Sequence, residues 1–144
     1  MSIFESARNG DVSGVARCLQ SGENVNSQDD FGRTALYWAC EWRQLYVVQF
    51  LLTQDADTER GNKNGKTPLM RAVGKGHVGI TETLLMRGAQ PNTQDQDPLS
   101  ALHTAAVRGL QPILDALIKY GGDIHVRDSD GKTPLHYAGE YCTG

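Results

Sequence analysis

Apolar residues recur along this chain in small clusters at helical spacing, and the clusters recur at a fixed interval. Val15, Cys18 and Leu19 form the first; Val48, Leu51 and Leu52 the second; Ile80, Leu84 and Leu85 the third; Ile113 or Leu114 with Leu117 and Ile118 the fourth. Residues three and four apart share one face of a helix, so each cluster predicts an amphipathic helix with a single apolar stripe. Such helices are expected over about 12–20 and about 78–87, each closed by a glycine (Gly22, Gly88) that accepts a left-handed backbone.

A second pattern travels with the first. Thr34, Thr67, Ser100 and Thr133 are 33 residues apart, with Leu36, Leu69, Leu102 and Leu135 two positions on and Ala39, Ala72, Ala105 and Ala138 five on. Gly32, Gly65 and Gly131 stand two positions before, with Pro98 in the fourth place. In the stretch from Asn62 to Asp95, Asn62-Lys63-Asn64-Gly65 is turn chemistry. Thr67-Pro68 then opens a short helix, about 68–75: Thr caps it, and Pro suits a first position whose N–H has no partner. Gly74 and Gly76 end it before the second helix begins. One such helix pair cannot hide its own stripe, whereas a row of pairs hides each stripe against the next. The expected organisation is one all-α domain, 1–144, an α-solenoid of about four full helix-pair units with hairpin loops: 1–28, 29–61, 62–94, 95–127 and a partial fifth, 128–144.

Thr67-Pro68-Leu69, Ser100-Ala101-Leu102-His103-Thr104-Ala105-Ala106 and Thr133-Pro134-Leu135-His136-Tyr137-Ala138 resemble the ankyrin-repeat signature. Gly88-Ala89-Gln90-Pro91-Asn92 and Gly121-Gly122-Asp123-Ile124 resemble its closing segment. The resemblance spans essentially the whole chain. It implies antiparallel helix pairs with hairpins projecting sideways, a concave face, and structural roles for His103 and His136, whose rings bridge neighbouring loops. Unit two departs most: Ala35 replaces the proline, Tyr37 the histidine, Arg43 the turn glycine and Asp55 the closing glycine. It is expected to be strained or specialised. At the ends, Ser2-Ile3-Phe4-Glu5 has the form of a capping box, and unit five has one helix where the others have two.

A 39% hydrophobic and 22% charged chain is ordinary for a globular protein and excludes disorder by composition. The net charge of −3 gives no overall attraction to nucleic acid or acidic lipid. No apolar run reaches the roughly 20 residues of a membrane span, and the start lacks the build of a secretory signal. Three widely spaced cysteines, Cys18, Cys40 and Cys142, make a disulfide framework a poor reading and favour cytoplasm or nucleus.

Apparent catalytic motifs fail on context. Gly74-Lys75-Gly76-His77-Val78-Gly79 spells a dinucleotide fingerprint, but a helix precedes it where a strand is required. Gly65-Lys66-Thr67 and Gly131-Lys132-Thr133 lack the earlier glycine of a phosphate loop, Arg60 and Val126 standing there. The histidines sit one to a layer, without metal-ligand spacing. The expectation is no catalytic residue, no cofactor and no metal.

Ankyrin-type stacks bind proteins through hairpin tips and the inner helix face, and register carries those positions onto this chain. The candidate protein-binding residues are Phe31, Arg33, Trp38, Trp42, Lys63, Lys66, Arg71, Lys75, Leu99, Arg108 and Tyr141. Phe31, Trp42, Leu99 and Val107 are apolar at positions expected to be exposed. Arg33, Lys63, Lys66, Arg71, Lys75 and Arg108 are expected to form a basic strip that steers an acidic, apolar partner segment. The expected role is a non-catalytic adaptor, monomeric on its own, without nucleic acid or membrane partners. One alternative is the N-terminal recognition module of a larger protein (ligase adaptor, kinase or channel); a remote one is a small-molecule binder around Gly74 to Gly79. His125, with Asp123 and Leu117, best fits the family's hydroxylation pattern.

Overall fold

The computed structural model describes residues 1–141, and the side chains of residues 1–137. Among the described residues every regular element is a helix: α1 (Ile3–Asn9), α2 (Val12–Gln20), α3 (Ala35–Glu41), α4 (Leu45–Thr53), α5 (Pro68–Gly74), α6 (Val78–Met86), α7 (Ala101–Val107), α8 (Gln111–Lys119) and α9 (Pro134–Tyr141). The helices form two parallel rows. The inner row runs α1, α3, α5, α7, α9 and the outer row α2, α4, α6, α8; each inner helix but the last also packs on the outer helix that follows it.

Local chemistry sets where each inner helix starts. The hydroxyls of Thr34, Thr67 and Ser100 accept the N–H groups of Tyr37, Met70 and His103, three residues on. Ser2 does the same for Glu5, which is the forward half of the expected capping box. The reciprocal box forms at α7 instead, where the His103 ring accepts the Ser100 N–H. On the outer row, the Asp11 carboxylate accepts from Gly14 and the His77 ring from Ile80. The expected ends at 75 and 87 fall one residue early, at Gly74 and Met86.

Between the rows lies the core. Val15, Val48, Leu51, Ile80, Leu84, Ile113 and Leu117 have no exposed surface. Each contributes roughly 1.5–3 kcal/mol by leaving water. Cys18 and Cys40 are buried free thiols within it. Two stripe positions, and the recurring leucine at 135, are not fully buried. Leu19 is only half-buried, Ile118 is 49% exposed and Leu135 is 69% exposed. The last two lie on α8 and α9, which among the described residues have a neighbour in their row on one side only.

Unit two carries the expected backbone strain. The turn between paired helices is left-handed at Gly10, Gly76 and Gly109, and Arg43 takes that place with φ 61°. The closing turn is left-handed at Gly22, Gly88 and Gly121, and Asp55 takes that place with φ 60°. A left-handed residue with a Cβ costs roughly 1–2 kcal/mol, partly offset for Asp by local hydrogen bonding. Arg43 gains a compensating bond, donating from Nη1 to the Lys75 carbonyl at 2.6 Å; exposed Asp55 has no such side-chain bond among the described residues. Asp55→Gly is therefore expected to stabilise by about 0.5–1 kcal/mol, raising Tm by roughly 2–5 °C in a calorimetric scan. No gain in Tm would mean the turn is not strained.

Candidate protein-binding face

The hairpin tips share one device. Asp29, Asn62, Asp95 and Asp128 stand 33 residues apart, and each directs one side-chain oxygen at two backbone N–H groups, two and four residues on. For Asp95 these are Asp97 at 2.9 Å and Leu99 at 3.0 Å. The tips are also joined to one another: Lys63 N–H donates to the Phe31 carbonyl at 3.0 Å, and Gln96 N–H to the Asn64 carbonyl at 2.9 Å. A continuous rib of loops results, with its side chains held at fixed intervals.

The other side-chain oxygens organise the adjoining inner helices. Asp29 accepts from Arg33 Nε at 2.9 Å and from Trp38 Nε1 at 3.1 Å, and the Arg33 guanidinium lies over both the Trp38 and Phe31 rings, 4.3 and 4.8 Å from their centroids. Asp95 accepts from Lys66 Nζ at 3.0 Å. Asp128 accepts from the Tyr137 hydroxyl. Glu41 on α3 holds Arg71 Nε at 2.5 Å and Lys75 Nζ at 3.3 Å. Arg108 caps α5, donating to the carbonyls of Val73 and Gly74.

This geometry corrects the expected basic strip. Arg33, Lys66, Arg71 and Lys75 are brought onto one face, but Asp29, Asp95 and Glu41 lie among them and pair with all four. The sequence order hides this, because Glu41 and Arg71 are thirty residues apart. Lys63 is exposed at its tip, and Arg108 is exposed at the next layer. Phe31 and Trp42 are 63% and 52% exposed, as their register suggested, whereas Leu99 and Val107 are half-buried because they line a pocket against Tyr137. The side chain of Tyr141 lies outside the described residues.

Two open pockets result. One, of about 390 Å³, lies between units two and three and is lined by Arg33, Tyr37, Trp38, Glu41, Trp42, Asn62, Lys66 and Arg71. Tyr37 and Asn62 were not among the candidate binding residues, although each stands in a periodic slot. The other, of about 350 Å³, lies between units four and five, lined by Leu99, His103, Thr104, Val107, Arg108 and Tyr137.

The fingerprint-like glycines serve the fold. Gly74 ends α5, Gly76 makes the left-handed turn, and His77 caps α6. Among the described residues there is no cluster of metal-ligating side chains, and no helix is long and apolar enough to cross a membrane.

The pattern of helix pairs and hairpins is matched by a family model described as ankyrin repeats (3 copies), over residues 3–95 and 83–143. This chain belongs to the ankyrin-repeat family. Ankyrin repeats are protein-interaction modules, and the fold itself is non-catalytic. Curated relatives include E3 ubiquitin-protein ligase hecd-1 of Caenorhabditis elegans, 30% identical over 69% of this chain and 4% of that protein. Putative E3 ubiquitin-protein ligase XBAT34 of Arabidopsis thaliana is 33% identical over 69% of the chain and 27% of its own length. Human ankyrin repeat domain-containing protein 63 is 39% identical over 49% of the chain and 19% of its own length. The chain thus spans under a third of each of these relatives.

The tip carboxylates of this ankyrin-repeat stack also set its acid response. Burial alone would raise the Asp29 and Asp95 carboxyls. Their backbone N–H donors, with Arg33 and Trp38 for Asp29 and Lys66 for Asp95, outweigh burial and hold both below the usual range. A depressed folded-state pKa adds stability above the unfolded value, about 3.9 for Asp, which is lost as pH falls through the folded value. The contribution of these two carboxylates is therefore expected to be full above about pH 5 and to fall below about pH 4. Asp95→Asn, which keeps the two backbone bonds as Asn62 does, should flatten part of that fall. Urea midpoints measured across the range decide it; an unchanged acid limb would contradict the assignment.

Proposed function

We propose that the chain is a non-catalytic adaptor that holds an extended segment of another protein across its hairpin and inner-helix face. The carrying observation is the pocket between units two and three, where exposed Trp42 and half-buried Trp38 stand beside Arg33, Lys66 and Arg71. Aromatic and arginine side chains gathered in one hollow are the usual composition of an interaction hot spot. Four cations against three carboxylates leave the paired cluster one positive charge, and Lys63 and Arg108 flank it. An acidic segment with apolar residues complements that surface. The proposal carries no cofactor and no reaction centre, a monomeric state, and a place in cytoplasm or nucleus consistent with two buried free thiols.

A second reading, a recognition module within a larger protein, is supported by the relatives. The stretches resembling this chain are small parts of two ubiquitin ligases.

Quantitative affinity capture from the source organism tests the main reading. Trp42→Ala and Lys75→Glu are each expected to reduce recovery of the same prey at least about tenfold. Tyr46→Ala, on the outer row and 75% exposed, should leave it unchanged. Prey lost only with Tyr46→Ala would move the binding face to the other side.

A further inference from the structure

We infer that this face recognises a two-anchor linear motif: a carboxylate side chain seated between units two and three, and an aliphatic or aromatic side chain seated between units four and five. In an extended segment the two lie about five to six residues apart. The inference rests on the face proposed above and specifies what it reads.

The first pocket is built to accept a carboxylate. Tyr37 is only 6% exposed, and its oxygen accepts from Asn62 Nδ2 at 3.1 Å. Its own O–H has no acceptor among the described residues, although it lines the pocket. Arg71 gives only its Nε to Glu41, and among the described residues its two Nη groups have no other partner. A hydroxyl donor beside an open guanidinium edge suits the two oxygens of one carboxylate, and Trp38 and Trp42 line the same pocket. The charge balance favours a monoanion. Asp29, Glu41 and Asp95 already neutralise most of the local positive charge, leaving a single unit, so a phosphate dianion would be over-supplied with negative charge.

The second pocket is lined mainly by apolar groups. Leu99 and Val107 form its apolar wall. Both ring nitrogens of His103 are engaged, Nδ1 by Ser100 and Nε2 by the Lys132 carbonyl. The Tyr137 hydroxyl donates to Asp128, and Arg108 commits its Nη1 to the carbonyls at the end of α5. A polar ligand group entering here would lose its water for little return, whereas an apolar one gains by burial.

The spacing follows from the stack. The pockets are two layers apart along the inner row. Packed helices lie about 8–10 Å apart, so the anchors are separated by about 16–20 Å. An extended chain advances about 3.3 Å per residue, which gives five to six residues.

Selection of a displayed random dodecapeptide library on the purified chain tests this. Enriched peptides are expected to carry Asp or Glu five or six positions from Leu, Ile, Val, Met or Phe, in one constant order. In the best peptide, Glu→Gln should weaken binding about tenfold or more in fluorescence anisotropy. Tyr37→Phe, which removes only the hydroxyl, should erase most of that difference, with melting curves confirming that the variant folds. Enriched peptides without an acidic position, without constant spacing, or bound more tightly with phosphoserine in place of Glu would overturn the motif, as would no enrichment at all. Loss of the motif while Trp42→Ala still abolishes natural partner capture would leave the binding face standing; loss of both would remove the face as well.

Discussion

Leu84→Ala is expected to lower the unfolding free energy by about 2–5 kcal/mol, a large part of the roughly 5–15 kcal/mol available to a folded chain of this kind. Leu84 has no exposed surface and sits on α6, which packs against α4 on one side, α8 on the other and α5 beneath. Truncation removes its transfer free energy and leaves a cavity that flanking helices, held by their own neighbours, cannot close. Ile118→Ala removes a similar number of carbons from a side chain 49% exposed at the edge of the same row, and should cost less than about 1 kcal/mol. Urea unfolding of both variants supplies the comparison. Equal losses would mean that stability does not come from outer helices covering one another.

His103→Ala carries the second large effect, about 2–4 kcal/mol. The ring is fully buried between the hairpins of units four and five. Because Nδ1 accepts the Ser100 N–H at 3.1 Å and Nε2 faces the Lys132 carbonyl at 2.9 Å, the proton must sit on Nε2. Truncation leaves a buried N–H and a carbonyl without this partner and opens a hole beside α7. His136 occupies the same slot one unit later, but it is exposed, and among the described residues its Nδ1 contacts only Thr133. His136→Ala should therefore cost about 1 kcal/mol or less, the value of a partial cap. Thermal melts of the two alanine variants separate a bridging histidine from a capping one; matching shifts in Tm would contradict the distinction.

The fold was legible because its signals are local and repeated. The caps at Thr34, Thr67 and Ser100 and the stripes at Val48, Leu51 and Leu52 locate their helices without knowledge of the rest of the chain. The exposure of Ile118 was less legible, since periodicity alone does not say which helix lacks a neighbour on one side. The candidate binding face was half-legible. Phe31 and Trp42 project from the positions their register assigns. The neutralisation of the basic residues was not visible, because it depends on Glu41 reaching across a layer to Arg71 and Lys75 and on Asp95 reaching back to Lys66. One signal was available and goes beyond its reading as turn chemistry: Asp29, Asn62, Asp95 and Asp128 recur with the repeat. Only side chains that organise every hairpin in the same way require such a recurrence.

The most direct test of the central claim is to place a photocrosslinking phenylalanine analogue at position 42, and separately at position 46, and to irradiate each chain in its native extract. Adducts with one protein partner are expected from position 42, on the hairpin and inner-helix face, and none from position 46 on the outer row. Adducts from position 46 alone would contradict it.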